Sequence, residues 1–226
     1  PVKDVIKLYD MPDEFYFFDM NNFRFIMLNS NYYVDSGKYI PFEYGNYFKF
    51  PKTRESIPPE QLLWLEKSIK DSPYPCLLFS HGSIERESDG GICNRDEVLK
   101  IIRAVNKKER KVLMAFNGHH HRNALHIIEN VAFFDVNSAS YDWIDNPHYL
   151  FPEELQKEFR SIIHQIIYTE ALSAVVTISD NGIIEIEGGK CDFLYGITRE
   201  MTDNKPYDNA GRRCRAEILS AKFALV

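Results

Sequence analysis

Apolar runs and their spacing divide the chain into strands and helices before any chemistry is considered. Aromatic-rich runs over 15–18 and 23–28 flank Asp19-Met20-Asn21-Asn22, which predicts a β-hairpin with asparagines accepting positive φ in the turn. Leu62, Trp64, Leu65 and Ile69 lie on or beside one helical stripe, and Pro58-Pro59-Glu60 suits the start of that helix. Cys76-Leu77-Leu78-Phe79 and Val112-Leu113-Met114-Ala115-Phe116 are short unbroken apolar runs, as expected of buried strands. Between them Val98, Leu99, Ile101, Ile102 and Val105 give a helix its buried face, with Asn94 and Glu97 spaced as a capping box. A further strand is predicted over 132–136. The order strand, helix, strand, helix, strand is an α/β pattern.

The second half is less regular. Leu155, Phe159, Ile162, Ile163, Ile166 and Ile167 predict an amphipathic helix over 151–169, starting near Pro152, with His164 off its apolar stripe at the surface. Strands over 174–178 and 183–186 flank Asp180-Asn181-Gly182, a strong hairpin signal. Ile184 and Ile186 alternate with Glu185 and Glu187, so one face of that arm is wet. The segment 31–57 has no clean period but is rich in tyrosine and phenylalanine. It is read as a long lid or binding loop, most of its rings packing it onto the body and one or two left to line a site. The chain is taken as one domain over 1–226, with 31–57 an insertion and 170–226 a β-rich end.

Composition narrows the classes. With 226 residues and 44% hydrophobic, the chain is long enough to bury a sizeable core. Sixteen Phe and 13 Tyr exclude a disordered chain. A net charge of −6 and a pI near 5.7 argue against a footprint for duplex nucleic acid. The short basic stretch Gly211-Arg212-Arg213-Cys214-Arg215 is read as a solvated turn. Four cysteines show no paired spacing, and Cys76 sits in an apolar run as a small hydrophobe. No stretch approaches a membrane span and no secretory leader is visible, which leaves the compartment open and favours the cytoplasm.

The chemistry gathers at Asn117-Gly118-His119-His120-His121-Arg122-Asn123, which follows a buried strand. In an extended backbone His119 and His121 share one face and His120 points away. Two imidazoles on one face can hold one transition-metal ion or two neighbouring ones, while a solvated polar turn is the plainer alternative. His81 ends the other buried strand, at the carboxyl end where open α/β sheets place ligands.

Together these residues resemble calcineurin-like metallophosphoesterases, the superfamily that includes purple acid phosphatases. Gln61-Leu62-Leu63-Trp64-Leu65 is similar to the family's Gln-x-x-Trp-Leu helix, and Leu78-Phe79-Ser80-His81 to its strand ending in a metal-binding His. Gly118-His119-His120-His121 fits the Gly-His-x-His motif, and Asn137-Ser138-Ala139-Ser140 the strand end that follows it. The resemblance covers most of 15–190. It implies a β-sandwich flanked by helices, of which this chain supplies the C-terminal portion. It also implies two transition-metal ions, Mn, Fe or Zn, that cleave a phosphomonoester or phosphodiester with a metal-bound hydroxide. By that match His81 and His119 ligate one metal and His121 the other.

The family's Asp-x-His, Gly-Asp-x-x-Asp and Gly-Asn-His-Asp/Glu motifs have no counterpart here; Gly45-Asn46-Tyr47 carries Tyr where the last has His. The expectation is therefore of a half that supplies three histidines and is inactive by itself. Its expected partners are the phosphoester substrate, the missing half, and possible copies of itself through an exposed apolar face; no membrane partner is expected. Two other readings stand beside this one: a binding module that kept the fold without the chemistry, and a single structural zinc, which usually takes four ligands including Cys.

Overall fold

The computed structural model describes residues 1–225 except 88–89, 122, 145–149, 180 and 204–213. By internal packing the chain divides into two compact units, 1–119 with 125–135, and 120–124 with 136–226.

The first unit opens with helix α1 (Val2–Leu8), then strands β1 (Tyr16–Met20), β2 (Phe23–Met27), β3 (Tyr32–Asp35) and β4 (Lys38–Pro41). Helix α2 (Pro59–Lys70), β5 (Cys76–Ser80), α3 (Arg95–Asn106), β6 (Val112–Asn117), β7 (Ala124–Ile128) and β8 (Val131–Asp135) follow. Six of these strands form one sheet in the order β1-β2-β5-β6-β8-β7. Its centre is parallel, β2 to β5 to β6 to β8, and the predicted hairpin supplies the antiparallel edge, with Asn21 and Asn22 at φ 50° and 62°. This is a mixed α/β fold with a central sheet flanked by helices. β7, absent from the sequence reading, returns to β8 through Glu129-Asn130, both at positive φ as a type I′ turn requires.

Ile26, Leu78, Ala115 and Phe133 turn one face of this sheet towards Leu65 and Ile69 of α2 and Val98, Ile102 and Val105 of α3, all buried. Truncating one of the leucines or isoleucines among these to Ala removes its transfer energy and leaves a cavity, about 2–5 kcal/mol. The other face carries a phenylalanine row: Phe18 stacks on Phe25 at 4.9 Å, and Phe79 on Phe116 at 4.7 Å. At the β1 edge Phe17, Phe18 and Met20 are exposed. Gln61 is fully buried because its amide accepts from Asn29 N–H at 2.8 Å and donates to Asn29 O at 2.8 Å, tying α2 to the end of β2.

Two local expectations change. Segment 31–57 is not structureless: β3 and β4 pair as a hairpin, and the buried ring of Tyr33 stacks on Phe50 at 4.9 Å. Asn94 does not cap α3 with its side chain; it bonds the backbone of Ile57, accepting from N–H at 2.9 Å and donating to O at 2.8 Å. A long-range backbone partner has displaced the local cap.

The second unit contains β9 (Tyr141–Trp143), α4 (Glu153–Glu158), β10 (Gln165–Ile167), β11 (Ala174–Ile178), β12 (Ile183–Gly188), α5 (Arg199–Asp203) and β13 (Ala221–Ala224). The helix expected over 151–169 ends at Glu158, gives way to a 3-10 turn at Arg160–His164, and continues as β10 against β9. Ile166 and Ile167 are β-branched, and strand pairing suits them better than a helix. His164 is half-buried rather than superficial, with its O accepting from Ile144 N–H at 2.7 Å. The 174–186 hairpin forms as β11–β12, with Gly182 at φ 78° and Ile184 and Ile186 buried; Asp180 lies outside the described residues. Arg122, Gly211-Arg212-Arg213 and Val226 also lie outside them. Among the described residues no helix is long and apolar enough to cross a membrane.

Candidate metal centre

Parallel pairing brings two histidines together. Ser80, the last residue of β5, is in register with Asn117, the last of β6, so the residues just beyond both strands are neighbours. Gly118 N–H donates to His81 O at 3.0 Å and carries the ladder one step further. His119 then turns into the left-handed region at φ 60°. Its Nδ1 lies 3.0 Å from His81 Nε2, the two rings meeting edge to face at 82°. The histidine run is thus a bend beyond the strand end, and the alternation assumed for an extended run does not apply.

The far nitrogen of His119 is also engaged. Its Nε2 stands 3.0 Å from Glu55 Oε1 and 3.3 Å from the Tyr47 hydroxyl, and that hydroxyl donates to the same carboxylate oxygen at 3.4 Å. Glu55 is buried, 2% exposed, and has φ 62°, an uncommon conformation for a residue with a side chain. Backbone strain of this kind costs of order 1–3 kcal/mol and persists where the surroundings fix it. Here Glu55 O accepts from Cys93 N–H at 2.8 Å, which holds the loop against the segment before α3. Gly82 makes room for the carboxylate, since a Cβ there would lie 2.8 Å from Glu55 Oε2.

This network selects a tautomer. A buried carboxylate beside His119 Nε2 favours a proton there, which leaves the Nδ1 lone pair facing His81. Packing around His81 desolvates its ring and lowers its pKa from the ordinary 6.5, so that it is neutral at pH 7 although the residue keeps an open edge. Two imidazole nitrogens about 2.0–2.1 Å from a shared ion stand roughly 2.9–3.4 Å apart for bond angles from square to tetrahedral. The observed 3.0 Å falls in that span. The pair therefore fits two positions around a transition-metal ion. Among the described residues no three His, Cys, Asp or Glu side chains form a ready metal-binding group. His121 belongs to the second unit, where its φ is 51° and its ring meets Tyr141 at 4.8 Å and Trp143 at 6.2 Å. His120 lies half-buried in the bend.

No family model matches the chain, and no curated protein matches its sequence. Several solved structures are similar to it, among them these two. A dimetal phosphatase from Danio rerio aligns over 94% of this chain and 60% of its own, at 13% identity and a TM-score of 0.48. A Staphylococcus aureus protein assigned as a 5′-nucleotidase aligns over 81% of this chain and 29% of its own, at 11% identity and a TM-score of 0.34. The chain thus spans less than two thirds of the length of either.

The sequence reading missed Glu55, and it named Tyr47 only as the residue standing where the Gly-Asn-His motif has its His. Both lie in the 31–57 segment, which was read as a binding loop, but nothing in a single sequence marks which of its polar residues turns inward. A second polar cluster occupies the same sheet end. Arg86 Nη2 donates to Asp135 Oδ2 at 2.7 Å, with both side chains under 9% exposed. This pair neutralises itself inside the fold.

Proposed function

We propose that the chain belongs to a metal-dependent phosphoester hydrolase in which His81 and His119 hold one transition-metal ion and His121 serves a second. The observation that carries this reading is the 3.0 Å approach of His81 Nε2 to His119 Nδ1 at the ends of adjacent parallel strands. Glu55 supports it by engaging the opposite nitrogen of His119, as the outer partners of metal-bound histidines do. When bound, such ions supply positive charge against phosphoryl oxygens and lower the pKa of a water. The chain's own residues orient the donors: Glu55 fixes the His119 tautomer, Tyr47 steadies Glu55, and desolvation keeps His81 neutral. The carboxylates that hold two ions close together are assigned to the longer parent protein, and Mn, Fe and Zn all suit the histidines.

The test combines binding and turnover. Zn or Mn titrated into the metal-free chain should shift the His81 and His119 imidazole resonances together, and His119→Ala should abolish that binding. An aryl phosphodiester should be cleaved by an upstream-extended chain and not by this one, with activity lost in His119→Ala. Metal binding that survives His119→Ala would overturn the assignment. An extended chain that binds metal but cleaves no ester would instead favour a binding module.

A further inference from the structure

A small cavity in the first unit borders His119 and is lined by Lys52, Arg54, Glu55, Glu87, Cys93 and Arg95 among others. Its volume is about 220 Å3, the equivalent of roughly seven waters at about 30 Å3 each. Three of these side chains are cationic and two are anionic, and both anions already have partners, Glu87 in the lining itself. Glu87 lies 2.6 Å from Arg95 Nη2, and Glu55 faces His119. Among the described residues neither Lys52 nor Arg54 makes an ion pair.

Arg54 is nevertheless positioned. Its guanidinium lies 4.3 Å from the centroid of Tyr47, the ring whose hydroxyl reaches His119, and 5.6 Å from that of Phe48. The backbone on either side is pinned by Cys93, whose Sγ donates to Arg54 O at 2.9 Å and reaches Lys52 O at 3.5 Å. A guanidinium placed over a ring can stack on it and still offer N–H groups to an oxyanion, and the planar fork suits phosphate. Lys52 adds an exposed charge to the lining.

We propose that this cavity receives a second anionic group of the substrate, held by Arg54 and Lys52 beside the phosphoryl group at the histidine pair. The inference rests on the metal-site reading for what lies at the histidines. It narrows the substrate class to phosphoesters carrying a linked phosphate, as in a diphosphate or a nucleotide polyphosphate. A monoester of a neutral alcohol leaves the two cations without a partner.

Inorganic pyrophosphate is the probe, titrated into the metal-free full chain by calorimetry and by NMR of arginine side chains at constant ionic strength. Saturable binding with a shift of the Arg54 resonance is expected, and Lys52→Ala with Arg54→Ala should weaken it about tenfold while orthophosphate changes less. Both residues are partly or fully exposed, and an unchanged near-ultraviolet circular dichroism spectrum establishes the fold; should the double variant unfold, Lys52→Gln and Arg54→Lys are read singly. Unsaturable binding by the natural chain, or equal affinity in the double variant, overturns the proposal. Retained pyrophosphate binding in a chain that takes up no metal leaves the anion site standing and removes the phosphoesterase reading.

Discussion

Asp135 closes β8 and His119 lies just beyond the end of β6, at the same edge of one parallel sheet, yet their surroundings oppose each other. Asp135 is sealed against Arg86 at 2.7 Å, with both side chains buried. His119 is half-buried, meets another imidazole on one side and a carboxylate on the other, and borders a cavity. The first cluster pairs its two charges inside the fold, although Asp135 Oδ1 is buried with no hydrogen-bond partner among the described residues. The second is neutral at the His81 end, can exchange its protons, and places two nitrogens at a spacing an ion could share. A polar residue at a strand end therefore says little by itself. What counts is whether its donors are already committed.

The contrast can be broken most forcefully at the sealed pair. Asp135→Ala should leave the Arg86 charge buried and lower stability by about 3–5 kcal/mol in urea denaturation. A loss below about 1 kcal/mol would mean that Arg86 relaxes to water and that the cluster is not closed. At the open cluster, Glu55→Gln should cut Zn or Mn affinity by about 10–100-fold, read by calorimetry, with a smaller stability change than Asp135→Ala. Unaltered affinity would detach Glu55 from the site.

Gly82→Ala sharpens the comparison from a residue with no chemistry. The new Cβ would meet Glu55 Oε2 at 2.8 Å and Ile92 Cγ1 at 3.1 Å, so the carboxylate must move or the backbone must yield. The expected cost is about 1–3 kcal/mol in thermal unfolding, accompanied by weaker metal binding. The smallest effect expected is in pH. Because the folded pKa of His81 lies below 6.5, the unfolded chain binds its proton first as pH falls. This contribution to metal-free stability is present above about pH 6.5, shrinks as pH falls towards the folded value, and then levels off. The slope is shallow because solvent reaches the ring edge. Chemical denaturation of the natural chain and His81→Asn from pH 7.5 to 5 should show the difference, and parallel curves would mean that His81 titrates normally.

Much of this was written in the apolar pattern. The runs ending in Phe79 and Phe116 specified two buried strands, and parallel pairing of those strands does the rest for His81 and His119. Asn21-Asn22 and Asn181-Gly182 marked hairpins that form as read, because turn chemistry is local. The failures share one physical cause. Asn94 has the right neighbours for a cap and a better partner 37 residues away in Ile57. The isoleucines of 162–167 keep helical spacing, but Ile166 and Ile167 pair with the strand β9 instead. Glu55 becomes informative only once folding has brought His119 to it. Local periods are legible, whereas a long-range partner that outcompetes them is not.

Parallel pairing also sets when the histidine pair can exist. The β1–β2 hairpin needs no residue beyond Met27, whereas β5 and β6 meet only through the crossover that contains α3. Glu55 is synthesised about 60 residues before His119, an interval of roughly 3–12 s at about 5–20 residues per second. For that time a loop destined for burial faces water without its histidine, and the left-handed turn at Glu55 has nothing to hold it. The donor pair is thus closed by sheet assembly rather than by any local segment, and an ion must be captured by the assembled sheet rather than by the nascent loop.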